Sequence, residues 1–294
     1  MSSVNKPGIF FAGGQGKSGT TWLQLLLDSH PDVSCAGEGH LVDFLVPNLL
    51  QSIRSYNQQL DHNNRQFPEL KGYPLLAEPE ARQLISTAIR NRLQTQAGDR
   101  NVAVIGERSP VNSANFRLLH QMLPEARFVH LVRDPRDVAV SMWFHGQRVN
   151  PVEASRQYGS IGKLMLSLIE NWKASLQSIR SAATDYPDLY LEIRYENLKS
   201  GPRALQETFA FLGVDNSTPV VEACIEQCRF SKLSGGRRQG EENRQSHFRK
   251  GVVGDWQNHV SAGIREEIDR LHGEFLRSEG YLTDAPEPGT GKAG

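Results

Sequence analysis

The sequence predicts an α/β fold, with a central, mostly parallel sheet flanked by helices. Three observations carry that prediction. Short apolar runs bounded by Gly, Pro or Asp recur along the 294-residue chain, segments with helical spacing of apolar residues lie between them, and two of the runs lead straight into a loop that opens a helix. Near-continuous apolar strands, rather than strictly alternating ones, are what a parallel sheet covered on both faces requires.

In chain order, GIFFA (residues 8–12) sits between Pro7 and Gly13 as a buried strand should, and residues 20–29 (TTWLQLLLDS) have helically spaced leucines. Residues 102–105, 126–132 (ARFVHLV) and 189–193 are further strands. The second of these runs into Asp134-Pro135, a helix N-cap followed by proline at the first helical position. Helical patterns cover residues 78–95, 112–122, 151–182, 201–212 and 262–278. Two polar stretches, residues 51–73 and 234–246 (SGGRRQGEENRQS), are expected to be mobile surface loops. No internal repeat is present. Residues 1–282 are expected to form a single domain, and residues 283–294 (TDAPEPGTGKAG) a disordered tail.

Lys plus Arg and Asp plus Glu balance at 33 each, so no global field draws the chain to nucleic acid or membranes, and any anion binding must be local. No apolar stretch approaches the roughly 20 residues of a membrane helix. The N-terminus, with one Lys and a short apolar run leading into a Gly-rich loop, reads as a strand rather than a signal peptide. Cys35, Cys224 and Cys228 have neither the number of a disulfide framework nor the partners of a zinc site. They are expected to be core thiols in a reducing, cytoplasmic compartment.

Residues 13–22 (GGQGKSGTTW) stand between a strand and a helix. Glycines let backbone N–H groups converge on an anion at the positive helix end, Lys17 adds a point charge, and Ser18, Thr20 and Thr21 add hydroxyl donors. The P-loop spacing of nucleoside-triphosphate enzymes is not met, because the position five before Gly16 is Phe11 and Lys-Ser is followed by Gly-Thr-Thr-Trp. A Gly-rich turn that merely starts a helix, and a P-loop small-molecule kinase using ATP and magnesium, are the competing readings. A second anion site is expected in RDPRDVAVS, where Arg133 at a strand's carboxyl edge and Ser141 two helical turns on can hold a phosphate. Two anion sites on neighbouring strand ends suit a nucleotide with two separated phosphates.

KSGTTW resembles the 5′-phosphosulfate loop of sulfotransferases, and RDPRDVAVS resembles their 3′-phosphate segment. FRKGVVGDW (residues 248–256) is similar to the R-K-G-x-x-G-D-W signature of the cytosolic members. The order of the three motifs is also the family's, so the resemblance spans residues 8–256. It implies a three-layer sandwich like that of P-loop nucleotide kinases and the donor PAPS (3′-phosphoadenosine 5′-phosphosulfate), with 3′,5′-bisphosphoadenosine (PAP) as product and no metal. The resemblance also implies an acceptor with a hydroxyl, on a small molecule or carbohydrate. Gly16, Lys17, Ser18, Gly19, Thr20 and Thr21 would hold the 5′ end, and Arg133, Ser141, Arg249, Lys250 and Gly251 the 3′-phosphate. Trp22, Tyr195 and Phe230 would lie at the adenine, though each fits a core role equally well.

Lys17 takes the leaving-group role in transfer, by the logic of phosphoryl transfer. The His that small-molecule members place in K-[ST]-H-x-P is absent, since the matching stretch is GERSP (106–110). Carbohydrate and tyrosylprotein members use a Glu after an H-P-[DE] turn, and HPDVSCAGE offers Glu38 as general base, with His40 as runner-up. Arg108 falls where the tyrosylprotein members carry a Lys that neutralises the transferring group, with a geometry that Lys does not share. Residues 257–262 match the dimer motif of cytosolic members only loosely, which leaves a homodimer open.

Overall fold

The computed structural model describes residues 7–282, so the expectation for the tail 283–294 lies outside the described residues. Its contacts group into two compact units, one running to Arg133 and resuming over Ser178–Glu241, the other comprising Asp134–Gln177 and the chain from Glu242 onward.

The first unit holds a five-stranded sheet: β1 (Gly8–Gly14), β2 (Val33–Ala36), β3 (Val104–Arg108), β4 (Arg127–Val132) and β5 (Tyr190–Arg194), in the order β2-β3-β1-β4-β5. Every pairing is parallel. Six of the seven residues of β1 are buried, as a strand covered on both faces must be. One face packs Leu23, Leu26 and Leu27 of α1 (Thr20–Asp28), Leu205 and Phe209 of α9 (Arg203–Leu212) and Val221 of α10 (Thr218–Gln227). The other packs Ile85, Ile89 and Leu93 of α3 (Glu78–Ala97) with Phe116 and Leu119 of α4 (Phe116–Met122). The expected three layers are therefore present within this unit.

From β1 the chain crosses through α1 to the β2 side of the sheet, whereas from β4 it returns on the β5 side. The carboxyl ends of the adjacent strands β1 and β4 thus flank a topological switch point, where open α/β sheets bind ligands.

Three local expectations are corrected. Residues 51–66 belong to α2 (Val46–Gln66), not to a loop, because Val46, Leu49, Leu50 and Ile53 anchor one side of a helix whose other positions are polar and exposed. Residues 33–36 form the strand β2, a run too short to stand out after the His-Pro-Asp turn. The long pattern 151–182 is two helices, α6 (Pro151–Tyr158) and α7 (Ile161–Ala183), broken at Gly159, whose φ of 67° a helix cannot continue. Residues 234–246 do lack helix and strand, as expected.

In the second unit α5 (Pro135–Val149) starts as anticipated, with the Asp134 carboxylate accepting the Arg136 backbone N–H at 2.9 Å. Trp172 of α7 packs edge-on against Phe275 of α12 (Ala262–Ser278) and Tyr281. No described helix is long and apolar enough to cross a membrane. All three cysteines are buried and free.

Candidate nucleotide and transfer site

The loop between β1 and α1 is shaped by its backbone. The Ser18 N–H donates to the Gln15 carbonyl at 2.9 Å, and Lys17 adopts the left-handed conformation at φ 73° that side chains other than Asn, Asp and Gly seldom take. Gly19, at φ 103°, stands where a Cβ would come within 2.6 Å of the Tyr195 ring, so only glycine lets the loop lie against that tyrosine.

α1 begins with no side-chain cap and no acidic residue in its first turn, which leaves its first N–H groups for a ligand or water. The Ser18 hydroxyl is fully buried and makes no hydrogen bond within the protein. Such an orphan costs about 1–3 kcal/mol unless a partner arrives. A buried hydroxyl at an uncapped helix start, beside Lys17, fits a phosphate or sulfate oxygen.

Arg133 leaves the end of β4, and its guanidinium lies 4.2 Å from the centroid of the Tyr195 ring. Tyr195 opens α8 (Tyr195–Ser200) directly after β5 and meets Trp22 edge-to-face with centroids 5.6 Å apart. The Trp22 indole N–H donates to the Cys228 carbonyl at 3.0 Å, and Lys199 of α8 sits with its ammonium 5.1 Å from the Trp22 ring. Phe230, at the start of α11 (Phe230–Leu233), carries the Arg237 guanidinium 5.3 Å from its ring. The first unit therefore brings Lys17, Ser18, Gly19, Thr20, Thr21 and Trp22 together with Tyr195 and Arg133.

A second cluster forms at the carboxyl ends of β2 and β3. The Arg108 guanidinium, almost wholly buried, donates to the Glu38 carboxylate at 2.5 Å and to the Gln24 amide oxygen at 2.9 Å. Gln24 in turn donates to the Cys35 carbonyl, so α1 fixes the arginine's plane. Glu38 remains about half exposed on its other side, with 45% of its side chain accessible. His40, left-handed at φ 51°, pairs with Asp43 at 2.9 Å, which holds its pKa above the usual imidazole value.

Glu107 is the surprise of this cluster. It is 2% exposed, its Oε1 has no hydrogen-bond partner, and burial pushes its carboxyl up to about 7 against the opposing pull of Asn112 and the Gly39 amide.

The remaining predicted residues lie in the second unit. Ser141 is half-buried on α5. Arg249 and Lys250 both bind Asp255, each at 2.5 Å, and Arg249 also pairs with Glu242. Asp255 further accepts from Asn258 and His259, each at 3.1 Å, so this cluster holds its carboxyl far below the usual range. The Asp137 carboxylate accepts the N–H groups of Gly254 and Trp256 at 2.7 and 3.0 Å and so fixes the turn that carries Asp255. Gly251 takes a φ of 71°. Among the described residues no group of three or more His, Cys, Asp or Glu could hold a metal ion.

Sequence reasoning passed over Gln24, Glu107 and Lys199. Two of them leave a trace: Gln24 interrupts the apolar run WLQLLL, and Glu107 ends the apolar strand VAVIG. A polar residue at such a place is informative because burial without a partner is costly.

A parallel sheet with a glycine-rich loop and an uncapped helix at its switch point defines an α/β protein with a place for an anion there. The sulfotransferase family model matches residues 7–217, and the chain belongs to that family. It is 28% identical over 198 residues to cytosolic sulfotransferase 17 of Arabidopsis thaliana, covering 56% of this chain and 55% of that one. It is 26% identical over 197 residues to flavonol 3-sulfotransferase of Flaveria bidentis, covering 55% and 61%. The chain thus spans little more than half the length of these curated relatives. In fold it resembles a mouse sulfotransferase complexed with PAP, at a TM-score of 0.55 and 20% identity over 93% of this chain and 85% of that one. A sulfotransferase from Mycobacterium avium aligns at a TM-score of 0.50 and 13% identity, over 97% and 78%.

Proposed function

We propose that the protein is a sulfotransferase enzyme that moves a sulfuryl group from PAPS to a hydroxyl acceptor. The observation that carries this reading is the fully buried, unpartnered Ser18 hydroxyl in a loop closed by Lys17 and an uncapped helix, on the strand next to the one that delivers Arg133. Family membership makes the bound anion a phosphosulfate rather than a triphosphate.

On this reading the acceptor oxygen attacks sulfur in line, the bond from sulfur to the 5′-phosphate oxygen breaks, and the acceptor proton passes to the Glu38 carboxylate. Lys17, Ser18 and the N–H groups of α1 take up the charge that develops on the departing phosphate. Arg108 orients Glu38 through their ion pair, and faces the transferring group as a fixed cation. His40, engaged with Asp43, is the less suited base. Trp22, Tyr195 and Phe230 receive the adenine, and Arg133 the 3′-phosphate. Ser141, Arg249, Lys250 and Gly251 are assigned to the same phosphate by their match to the family motifs.

The acceptor is a small molecule or a carbohydrate, and the flavonol sulfotransferase among the relatives favours a small molecule with a phenolic hydroxyl. Residues 1–282 act as one sulfotransferase domain, and the three buried thiols suit a reducing cytoplasm. A thermal-shift comparison tests the donor, since a ligand that binds only the folded state stabilises it. Stabilisation by PAP without metal is expected, and a response to ATP with magnesium alone would return the protein to the kinase class. Label transfer from sulfur-labelled PAPS onto a panel of phenols and sugars then tests the reaction.

A further inference from the structure

We propose that Lys199 is a donor-recognition residue that stands beside Arg133 at the nucleotide's 3′-phosphate and sets the preference for 3′-phosphorylated adenosine. The inference rests on the sulfotransferase reading above and adds to it a residue that lies outside all three motifs.

Lys199 sits on the same short helix, α8, as Tyr195, one turn further along. Its ammonium lies 5.1 Å from the Trp22 ring, while Arg133 lies 4.2 Å from the Tyr195 ring, and the two rings touch edge-to-face. Two cations are thereby gathered on one pair of aromatic side chains. Among the described residues the Lys199 ammonium donates to a neutral acceptor, the Gln239 amide oxygen, at a long 3.3 Å. Burial and the nearby Arg133 charge both hold its pKa below the usual lysine value, and no carboxylate is among the groups that act on it.

Among the groups that act on Lys199 there is no carboxylate to offset the cost of holding a half-buried lysine near an arginine. A dianion between the two cations offsets it. The adjoining aromatic pair makes a nucleoside phosphate the fitting anion. The loop of residues 13–21 already supplies Lys17, hydroxyls and helix N–H groups to the 5′ end, so the anion left for Lys199 is the one that Arg133 takes at the end of β4. Lysine suits a place beside an arginine fork, because it adds a compact point charge without competing for the same plane.

Titration calorimetry of the whole protein with PAP, 3′-AMP and 5′-AMP tests this. Lys199→Gln is expected to weaken PAP and 3′-AMP about tenfold while 5′-AMP changes by less than about twofold, and Lys199→Arg to keep most of the PAP affinity. Lys199→Met, which keeps the stem against Trp22, repeats the comparison should the glutamine variant be poorly folded, and the melting temperature without ligand reports on folding in each case. Unchanged PAP binding in these variants, or an equal loss for 5′-AMP, overturns the inference. A wild-type protein that binds PAP no better than 5′-AMP overturns the sulfotransferase reading instead.

Discussion

The loop of residues 13–22 and the basic turn of residues 249–251, both assigned to phosphate on the proposed reading, stand in opposite electrostatic states. In the loop, the Ser18 hydroxyl is buried without a partner and α1 has no cap, so the protein carries an unmet demand for an anion. In the turn, Arg249 and Lys250 are already held by Asp255, with Glu242 as a further carboxylate on Arg249. On that reading donor binding would complete the first region, whereas in the second it would share cations that a carboxylate already orients. On the same reading the loop would meet the charge that develops in the reaction, and the turn would couple stability to phosphate affinity.

The largest effect is expected from Lys17→Ala. It should lower kcat by about 100- to 1000-fold, with a change in melting temperature small beside that loss. Steady-state kinetics beside a melting curve decides this, and an equal loss of stability would show that the two regions do not differ as described.

Asp255→Asn should have the opposite profile. Removing a buried carboxylate that binds two cations is expected to destabilise the second unit by about 3 kcal/mol and to raise the KM for PAPS. The pH dependence follows from the depressed carboxyl: its folded pKa lies below its unfolded one, so its stabilisation is full above about pH 4 and is lost as the pH falls below that. Wild type should therefore lose stability on acidification more steeply than Asp255→Asn. Parallel pH titrations of the two proteins by denaturant unfolding measure the difference.

Glu107 sharpens the comparison from the other side, as a buried carboxyl with no cation on it. Its pKa of about 7 lies above the unfolded value, so its contribution is full at acid pH and is lost as the pH rises through 7. Glu107→Gln should remove that loss and raise stability at pH 8 by about 2 kcal/mol relative to wild type, while leaving stability at pH 5 close to unchanged. A wild-type protein equally stable at both values would contradict this. The smallest effect is expected from Gly19→Ala, at about 1–2 kcal/mol of stability, since the φ of 103° and the Tyr195 ring both oppose a Cβ. The same substitution should weaken PAP binding, which calorimetry would register.

Much of the candidate site is legible in the sequence. The glycines, Lys17 and the hydroxyls of the loop announce themselves because a strand, a tight turn and a helix start must be adjacent in sequence, and Arg133-Asp134-Pro135 repeats that logic. The polar stretch 51–66 misled because few of its residues are apolar, and only the packing of Val46, Leu49, Leu50 and Ile53 on the sheet turns it into a helix. Arg108 and Glu38 could each be singled out by motif, but their ion pair, seventy positions apart, could not.

By itself, then, the sequence determined the class of fold, the phosphate loop and the family motifs, since each depends on residues that are neighbours along the chain and on periodicity that survives in one dimension. The tertiary structure alone decided which cations are already paired with carboxylates, which carboxyl is buried with an unpartnered oxygen, and that Lys199 and Arg133 lie over two touching aromatic rings. Those outcomes depend on burial and on charges brought close by the parallel crossovers of the sheet, and electrostatic energy responds to distance in space and to the loss of water, neither of which is written in residue order.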